Sequence, residues 1–401
     1  MAPDTLALLK DGTAEIAPEG GLEEKLGFGR PLRVKLGLDP TAADVTLGWA
    51  VVLRKLRQFQ DAGHVAVLIV GDFTARVGDP SGKSETRPRL NKGVVQTFAA
   101  RLLEQFELIL SSERLEVRYN SEWLESMDME DVLRLTSSYT VARMLERDDF
   151  AKRYAEGRPI SIMEFMYPLL QGYDSVAVEA DVELGGTDQL FNLLVGRELQ
   201  RAWNQEPQIA VTVPLIEGLD GVQKMSQSLG NYVGITEPPD EMFGKLMRIP
   251  DELIGKYLRL VAGIPSMEVA RIEAGLADGS LKPNDRKREM ARGVVDLYHD
   301  SGAGARAEDA FNRVHRDREL PVVVEDLPIP PEAVSDGVIW LPRLLVELGW
   351  ASSNGEARRL IVQGGVRLDG ETLADPAHEA PESAYRGKIL QVGRRWFGRL
   401  A

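Results

Sequence analysis

The feature that most constrains this chain is a strand–turn–helix–strand pattern near its start. Polar and apolar side chains alternate over residues 32–38, which predicts a strand. After a turn at 39–41, apolar side chains recur at helical spacing over 46–62. The continuous apolar runs 65–72 and 209–216 are typical of parallel strands buried on both faces. This βαβ pattern predicts an α/β fold with a parallel sheet for the N-terminal half.

Length and composition narrow the class of protein further. A chain of 401 residues suggests two or three domains, and 43% apolar with 27% charged residues is normal for a globular protein. The absence of cysteine excludes disulfides, thiolate zinc sites and cysteine nucleophiles, and the four histidines show no metal-ligand spacing. No apolar run approaches the ~18 residues of a membrane span and no secretory signal is visible, so we expect a cytoplasmic protein.

The pattern changes along the second half of the chain. Helical apolar stripes begin at about residue 239, and the segment 320–336, rich in proline and acid, predicts a linker. Residues 338–401 carry nine Lys/Arg and seven Asp/Glu, a balance of +2 against -16 for the rest of the chain. A positive module on an acidic body fits a phosphate-rich partner, but the same charges could serve only solubility. Both interpretations stay open on charge alone.

The segment 39–49, DPTAADVTLGW, joins the first strand to its helix. Asp39 lies at the carboxyl end of the strand, where open α/β sheets bind their ligands. Thr46 precedes the first turn of the helix, whose free N–H groups favour phosphate. Gly48 would let a nucleotide lie against the backbone. The alternative is that Thr46 only caps the helix and Gly48 only packs closely.

Two further loops carry cations suited to a polyphosphate. The segment 71–87 has two Gly-Asp steps and a Pro-Ser-Gly turn before Lys83 and Arg87, but lacks the spacing of a Walker A loop. The segment 224–228, KMSQS, places Lys224 in a glycine-flanked loop after the strand at 209–216. Taken singly, each could equally be an exposed basic loop.

A polar stripe interrupts the apolar segment 163–194. Tyr167, Gln171 and Asp174 are spaced by four and three residues, which places them on one face of a helix. Polar groups among apolar ones are costly to bury without a partner, and a ligand bearing a phenol would supply one. The glycine turn GGTDQ at 185–189 follows.

Together these motifs, in this order and spacing, resemble the class I aminoacyl-tRNA synthetases, and within them the bacterial tyrosyl-tRNA synthetases. DPTAADVTLGW stands where that family has its HIGH signature, KMSQS where it has KMSKS, and YPLLQGYDSV with GGTDQ is similar to its tyrosine pocket. Residues 341–376 resemble the S4 RNA-binding fold. The resemblance implies a Rossmann-like parallel-sheet catalytic domain at 1–236, an α-helical anticodon-binding domain at 237–319, the linker 320–336 and a small α+β S4-like domain at 337–401.

The resemblance also implies roles for individual residues. Tyrosine would be bound by Lys35, Asp79, Asn120, Tyr167, Gln171, Asp174 and Gln189. ATP, as its magnesium complex, would be bound by Gly37, Asp39, Gly48, Gly186, Asp188, Lys224, Met225, Ser226 and Gln227. Catalysis would involve Thr41, Thr46, Lys83, Arg87 and Lys224, and tRNA would contact Arg358, Arg359 and Arg367. The family further implies a homodimer, with a plausible interface around 125–155, and no resident metal or organic cofactor.

The chain departs from the family pattern at three positions. Thr46 and Trp49 replace the histidines of the HIGH signature, and Gln227 replaces the second lysine of KMSKS. A neutral amide can hydrogen-bond a phosphate but cannot neutralise it. Three interpretations therefore remain: a working tyrosine–tRNA ligase, a paralogue that binds tyrosine or tRNA with little activation, and an enzyme that adenylates an amino acid for another acceptor. Whether Trp49 fills space or stacks on a base is also open.

Overall fold

The computed structural model describes residues 3–79, 91–315, 326–393 and 396–401. The chain divides into two compact units, Met1–Ala305 and Arg306–Ala401. Within the described residues, no helix is both long and apolar enough to cross a bilayer. The first unit includes both the region expected to be catalytic and most of the helical region, so the boundary at 236 and 237 stays a prediction.

The first unit is built on a six-stranded sheet. Five strands are parallel to their neighbours and one edge strand is antiparallel, in the spatial order β1-β6-β5-β2-β3-β4. Their bounds are β1 Glu15–Ala17, β2 Arg33–Leu38, β3 Val65–Val70, β4 Leu115–Tyr119, β5 Val182–Gly186 and β6 Ile209–Val213. The predicted α/β class with a parallel sheet is confirmed.

The strands follow the expected apolar runs but end earlier. Strand β3 stops at Val70 because Gly71 turns the chain, and β6 stops at Val213, before a proline that has no N–H for the ladder. The alternating pattern of β2 does not mark a solvent-facing side. Both faces of this central strand are covered, and Lys35 is fully buried.

Helices cover the sheet and continue beyond it. Thr46 caps α3 by accepting a hydrogen bond from the Trp49 N–H, and Ser161 with Glu164 forms a capping box at α9. The bounds are α1 Pro3–Lys10, α2 Gly21–Leu26, α3 Leu47–Asp61, α4 Lys92–Phe106, α5 Ser121–Leu124, α6 Met129–Ser137, α7 Val141–Met144, α8 Asp148–Ala155, α9 Ile162–Ala177, α10 Leu190–Ala202, α11 Pro239–Leu246, α12 Ile254–Leu260, α13 Ser266–Ala277, α14 Pro283–Tyr298 and α15 Ala303–His315. The expected change to helices near residue 239 is confirmed.

The strand order reverses between β2 and β5. From β2 the chain runs outward through β3 and β4, and then returns to the other side of β2 to form β5 and β6. Ligands of open α/β sheets bind at such a switch point, beyond the carboxyl ends of the strands. The topology therefore places a binding crevice above Leu38 and Gly186, the last residues of β2 and β5.

The second unit has its own apolar core and two small sheets, ordered β11-β10-β13-β14-β7 and β12-β9-β8. Most of α15, from Arg306 onward, falls in this unit, and it is followed by α16 Leu341–Glu347 and α17 Asn354–Val362. Its strands are β7 Asp326–Leu327, β8 Val334–Ser335, β9 Val338–Trp340, β10 Val366–Leu368, β11 Glu371–Thr372, β12 Glu379–Pro381, β13 Ile389–Val392 and β14 Trp396–Leu400.

The predicted linker 320–336 is wrong for its second part. Residues 326–336 form β7, a 3-10 turn and β8, and Ile329 and Ala333 lie in the core of the second unit. Apolar side chains spaced between the prolines supply this packing, which the proline-rich composition concealed. Residues 320–325 lie outside the described residues.

The helices α9 and α10 cross where neither has a side chain. A Cβ at Gly172 would lie 2.8 Å from Leu199 and 3.2 Å from the backbone N of Gly196. We therefore expect Gly172→Ala to separate the two helices and to lower the free energy of unfolding by about 1–3 kcal/mol in urea titrations. Gly244→Ala is the matched control, because no atom lies within 4 Å of its added Cβ and alanine favours a helix. Equal effects of the two substitutions would contradict the close approach.

Candidate functional site

A cavity of about 1210 Å³ opens at the switch point of the sheet. It is bounded by the ends of β2, β3, β5 and β6, by α9, and by the loop 224–228. The site residues expected from sequence that line it are Gly37, Asp39, Thr41, Thr46, Gly48, Asp79, Tyr167, Gln171, Asp174, Gly186, Asp188, Gln189, Lys224, Met225, Ser226 and Gln227. The topology thus brings together residues from four separate motifs.

Two of the residues expected to bind tyrosine do not line this cavity. Lys35 and Asn120 lie behind it, both fully buried. Lys83 and Arg87 fall outside the described residues, so their roles stay predictions.

Asp174 provides a carboxyl group at one end of the cavity. Its side chain is 3% exposed and accepts hydrogen bonds from Trp123 Nε1 at 2.9 Å and Asn120 Nδ2 at 3.3 Å. Burial raises the pKa of Asp174 to about 7, against the opposing effects of Lys35 and of these two donors. A carboxyl in this setting has a free lone pair for a donor on a ligand, such as a hydroxyl.

Asp39 provides a second carboxyl group, at the end of β2. It accepts a hydrogen bond from the Tyr167 hydroxyl at 2.9 Å and another from Thr74 Oγ1 at 2.7 Å. Removal from water raises the pKa of Asp39 to about 7, although part of its surface faces the cavity. Only glycine fits opposite it, because a Cβ at Gly71 would lie 2.0 Å from Asp39 Oδ1.

The two carboxyl groups belong to one hydrogen-bonded network. Asn120 Nδ2 lies 2.9 Å from Thr74 Oγ1, which bonds Asp39, and 3.3 Å from Asp174. Asn120 is itself fixed because its Oδ1 accepts a bond from the Phe73 N–H at 2.9 Å. Asn120 therefore orients both acids from behind the cavity.

A second polar cluster flanks the cavity beside Gln171. Asn192 Nδ2 donates to Gln171 Oε1 at 3.0 Å and to Gln189 Oε1 at 3.1 Å, and Gln189 Nε2 donates to Asp79 Oδ2 at 2.9 Å. Arg147 closes this cluster, since its Nη1 lies 3.3 Å from Asn192 Oδ1 and its Nη2 lies 3.6 Å from Asp79 Oδ1. A carboxylate and several amide oxygens held in this way suit a ligand ammonium group.

The opposite side of the cavity carries the motifs that are expected from the sequence to bind a nucleotide. Lys224 Nζ pairs with Asp188 Oδ2 at 2.9 Å, and half of the Lys224 side chain is exposed. The Gln227 amide donates to the carbonyl of Asp44, which joins the loop 224–228 to the segment that follows β2. A Cβ at Gly48 would meet no protein atom closer than 3.4 Å, so packing within the protein does not itself require glycine there. This leaves room for a ligand at the start of α3.

Sequence reasoning missed four residues that complete the site: Thr74, Trp123, Arg147 and Asn192. Thr74 and Trp123 follow the carboxyl ends of β3 and β4, so the rule that located Asp39 could have found them. Asn192 lies one helical turn after Gln189 on α10. Nothing in the sequence around Arg147 indicates its contact with Asp79.

The candidate tRNA contacts lie in the second unit. Arg358 and Arg359 are exposed on α17, and Arg367 is half-buried on β10. The Arg358 guanidinium lies 5.0 Å from the centre of the Trp340 ring. These residues offer cations for a phosphate backbone.

Comparison with known proteins defines the family. Residues 28–316 match the family of tRNA synthetases class I (W and Y), and residues 339–383 match the S4 domain. The chain belongs to this class I synthetase family. It is 53% identical to a tyrosine–tRNA ligase of Moorella thermoacetica, over 98% of this chain and 95% of that protein. It is 50% identical to the tyrosine–tRNA ligase of Geobacter sulfurreducens, over 99% and 98%. The resemblance inferred from the motifs is confirmed.

The fold is also that of a solved synthetase. The structure of tyrosyl-tRNA synthetase complexed with L-tyrosine from Archaeoglobus fulgidus matches with a TM-score of 0.62 at 22% identity, over 76% of this chain and 98% of that one. At this identity the likeness describes the arrangement of the chain and not the details of the site.

The loop 224–228 depends on one buried side chain. Asn231 Oδ1 accepts a bond from the Ser226 N–H at 2.9 Å, and its Nδ2 donates to Asp220 Oδ2 at 2.7 Å and to the Lys224 carbonyl at 3.2 Å. We expect Asn231→Leu to remove these bonds and to speed amide hydrogen exchange across 220–230, because the freed backbone opens more often. Strand β5 serves as the internal reference. Unchanged exchange in the loop would show that other contacts hold it.

Proposed function

We propose that this protein is a tyrosine–tRNA ligase, which joins L-tyrosine to ATP to form tyrosyl-adenylate and then transfers tyrosine to its tRNA. One observation carries the proposal: a single cavity at the switch point is lined by the buried carboxyl group of Asp174 and by Gly48 and Lys224, which belong to the motifs expected to bind phosphate. Close relatives across nearly the whole chain have this activity by name.

Asp174 is the group that would recognise the phenol. The tyrosine hydroxyl donates to this carboxylate, while Trp123 and Asn120 hold it in place. Phenylalanine would leave the carboxylate without that partner in a buried setting. A site built to bond a substrate hydroxyl rejects the analogue without it by roughly 10⁴–10⁵-fold, so no editing step is needed.

The ammonium group of tyrosine would bind between Asp79, Tyr167 and Gln171, with Gln189 fixing Asp79. This directs the tyrosine carboxylate toward the nucleotide side of the cavity. ATP would enter as its magnesium complex, with the adenosine near Asp39, Gly186 and Asp188 and the phosphates at the start of α3. The reaction is in-line attack of the carboxylate on the α-phosphate, which depends on positioning and charge stabilisation and needs no covalent help from the protein.

Cations would stabilise the departing pyrophosphate. Among the described cations that line the cavity, Lys224 lies in the loop 224–228 and suits this role, and Lys83 and Arg87 are assigned to it by resemblance. Thr41 and Thr46 would donate hydroxyl hydrogen bonds to phosphate oxygens. Lys224 pairs with Asp188, so a phosphate that bound Lys224 would replace that carboxylate as its partner.

Several features of the whole molecule belong to the same proposal. The catalytic region 1–236, the anticodon-binding helices 237–319 and the S4-like region would bind tRNA jointly, and we place the protein in the cytoplasm. A homodimer is supported by large apolar side chains that are exposed between 125 and 155: Met129, Leu133, Val141 and Tyr154. No resident metal or organic cofactor is invoked.

Tyrosine-dependent exchange of labelled pyrophosphate into ATP tests the activation step. We expect exchange with tyrosine and none with phenylalanine, followed by charging of tRNA with tyrosine. Absence of exchange at ample enzyme would instead favour a binding paralogue. Exchange without tRNA charging would favour transfer of the amino acid to another acceptor.

The variant Asp174→Ala tests the role of the carboxyl group in the same experiment. We expect it to lower kcat/KM for tyrosine on the order of 10⁴-fold, because the phenol loses its acceptor, while ATP binding stays largely intact. Equal loss of tyrosine and ATP binding would indicate a collapsed site and would remove the specificity role of Asp174.

A separate prediction concerns tRNA. Replacing Arg358, Arg359 and Arg367 together with alanine should weaken tRNA binding and reduce the salt dependence of its affinity by roughly one unit of slope for each phosphate that is no longer neutralised. Pyrophosphate exchange should not change. Arg386→Ala is the control, since Arg386 is an exposed arginine of the same unit that pairs with Glu382. Unchanged affinity of the triple variant at low and high salt would refute the assignment.

A further inference from the structure

The most deeply buried ion pair of the described residues lies behind the proposed tyrosine pocket. Lys35 on β2 and Glu183 on β5 occupy paired positions of adjacent strands, and their charged atoms are 2.9 Å apart. The side chains are 0% and 1% exposed. Neither residue lines the cavity, so neither can contact tyrosine directly.

The pair is bound to the helix that carries the pocket. Lys35 Nζ donates to the Gln171 carbonyl at 2.9 Å and to Ser175 Oγ at 2.8 Å, and Ser175 lies 3.1 Å from Glu183 Oε2. The Gln208 amide also donates to Glu183. The contacts of Lys35 on α9 thus bracket Asp174.

The surrounding chain leaves space for this polar cluster. A Cβ at Gly196 would lie 2.7 Å from Gln208 Nε2 and 3.1 Å from Ser175 Oγ. Glycine on α10 therefore admits charged groups where an apolar contact between helix and sheet would otherwise form. A buried ion pair contributes little to stability compared with well-packed apolar residues of similar volume. Its presence at this position calls for a role other than stability.

We propose that Lys35 and Glu183 are positioning residues for tyrosine recognition: they fix the turn of α9 that carries Gln171 and Asp174, and the positive charge of Lys35 favours the charged form of the Asp174 side chain, which accepts the phenol hydrogen bond. The inference rests on the proposed function of the cavity as a tyrosine site. It replaces the expected direct contact of Lys35 with tyrosine by an action through Asp174.

Lys35 and Glu183 have opposite effects on the pKa of Asp174, and the effect of Lys35 is the larger. Burial raises the pKa of Asp174, Lys35 is the largest influence that lowers it, and Glu183 raises it by less. Within the described residues, Asp39 and Tyr167 also interact electrostatically with Asp174, while Trp123 and Asn120 are neutral donors. Tyrosine needs the charged carboxylate, so its binding weakens as pH falls through the pKa of Asp174. Loss of the Lys35–Glu183 pair moves that weakening to higher pH.

The double variant Lys35→Met with Glu183→Gln removes both charges and leaves no unpaired buried ion, whereas either single change would strand one. We measure KM for tyrosine and kcat in pyrophosphate exchange from about pH 6 to about pH 9. A rise of one unit in the pKa of Asp174 corresponds to a KM about tenfold higher at pH below both values. Since the pKa of Asp174 is about 7, we expect an increase of this size only near pH 6, roughly half of it near pH 7, its disappearance near pH 9, and little change in kcat or in KM for ATP.

Lys55→Met is the matched control. Lys55 is a second buried lysine, which donates to the Leu9 and Asp11 carbonyls away from the cavity. Its loss should leave the pH profile for tyrosine unchanged. A double variant with the profile of the unmodified protein would overturn the proposal. A KM raised by one factor at every pH would overturn the action of Lys35 on the charge of Asp174, because displacement of the α9 turn alone predicts no pH dependence.

Infrared titration of the Asp174 carboxyl group, assigned by difference from Asp174→Asn, gives a readout without substrate. The band of the protonated group should persist to higher pH in the double variant. An unshifted titration would overturn the electrostatic part even if tyrosine kinetics change. Absence of tyrosine-dependent exchange in the unmodified protein would instead refute the function of the site, which the carboxyl titration does not measure.

Discussion

The parallel pairing of β2 with β5 is the constraint on which the rest of the site depends. These strands are neighbours in the sheet, although about 140 residues of chain separate them. Their pairing brings the loop after β2, which carries Asp39 and the start of α3, beside the loop after β5, which carries Asp188. The same pairing places Lys35 against Glu183 beneath α9. The pairing of these two strands therefore positions both the loops that form the crevice and the buried ion pair behind it.

The two ends of the cavity use charge in different ways. At the Asp174 end the polar groups are buried and bound to one another, so each has a fixed orientation and the exclusion of water strengthens every hydrogen bond. At the end that is proposed to bind the nucleotide, the cation Lys224 is half exposed on a loop. A small neutral phenol is selected by rigid geometry, whereas a polyphosphate must enter and leave and therefore meets a cation that is open to solvent.

Much of this site was predictable from the sequence, because its motifs are local. The helix face of Tyr167, Gln171 and Asp174, and the strand end at Asp39, follow from periodicity and from the position of ligands on parallel sheets. The hydrogen bonds between them were not predictable, because Asn120, Thr74 and Arg147 come from other elements whose side-chain directions depend on packing. The assignment of 326–336 to a linker was wrong for the same reason. A single apolar residue such as Ile329 does not indicate a strand or a core position until the contacts of the folded unit are known.

The unusual signature residues are easier to understand from the backbone than from side-chain charge. Thr46 keeps a hydroxyl at the start of α3, and its oxygen accepts the Trp49 N–H at 3.3 Å, so the helix terminus is formed without either histidine. Gln227 lacks a charge, but its amide joins the lysine loop to the Asp44 carbonyl. Loss of one charge aimed at a transition state costs about 2.7–4 kcal/mol when nothing compensates. The bond from Gln227 fixes the loop and so orients Lys224. A cation that is already in place stabilises developing charge without first losing mobility, so this orientation can offset part of the lost stabilisation.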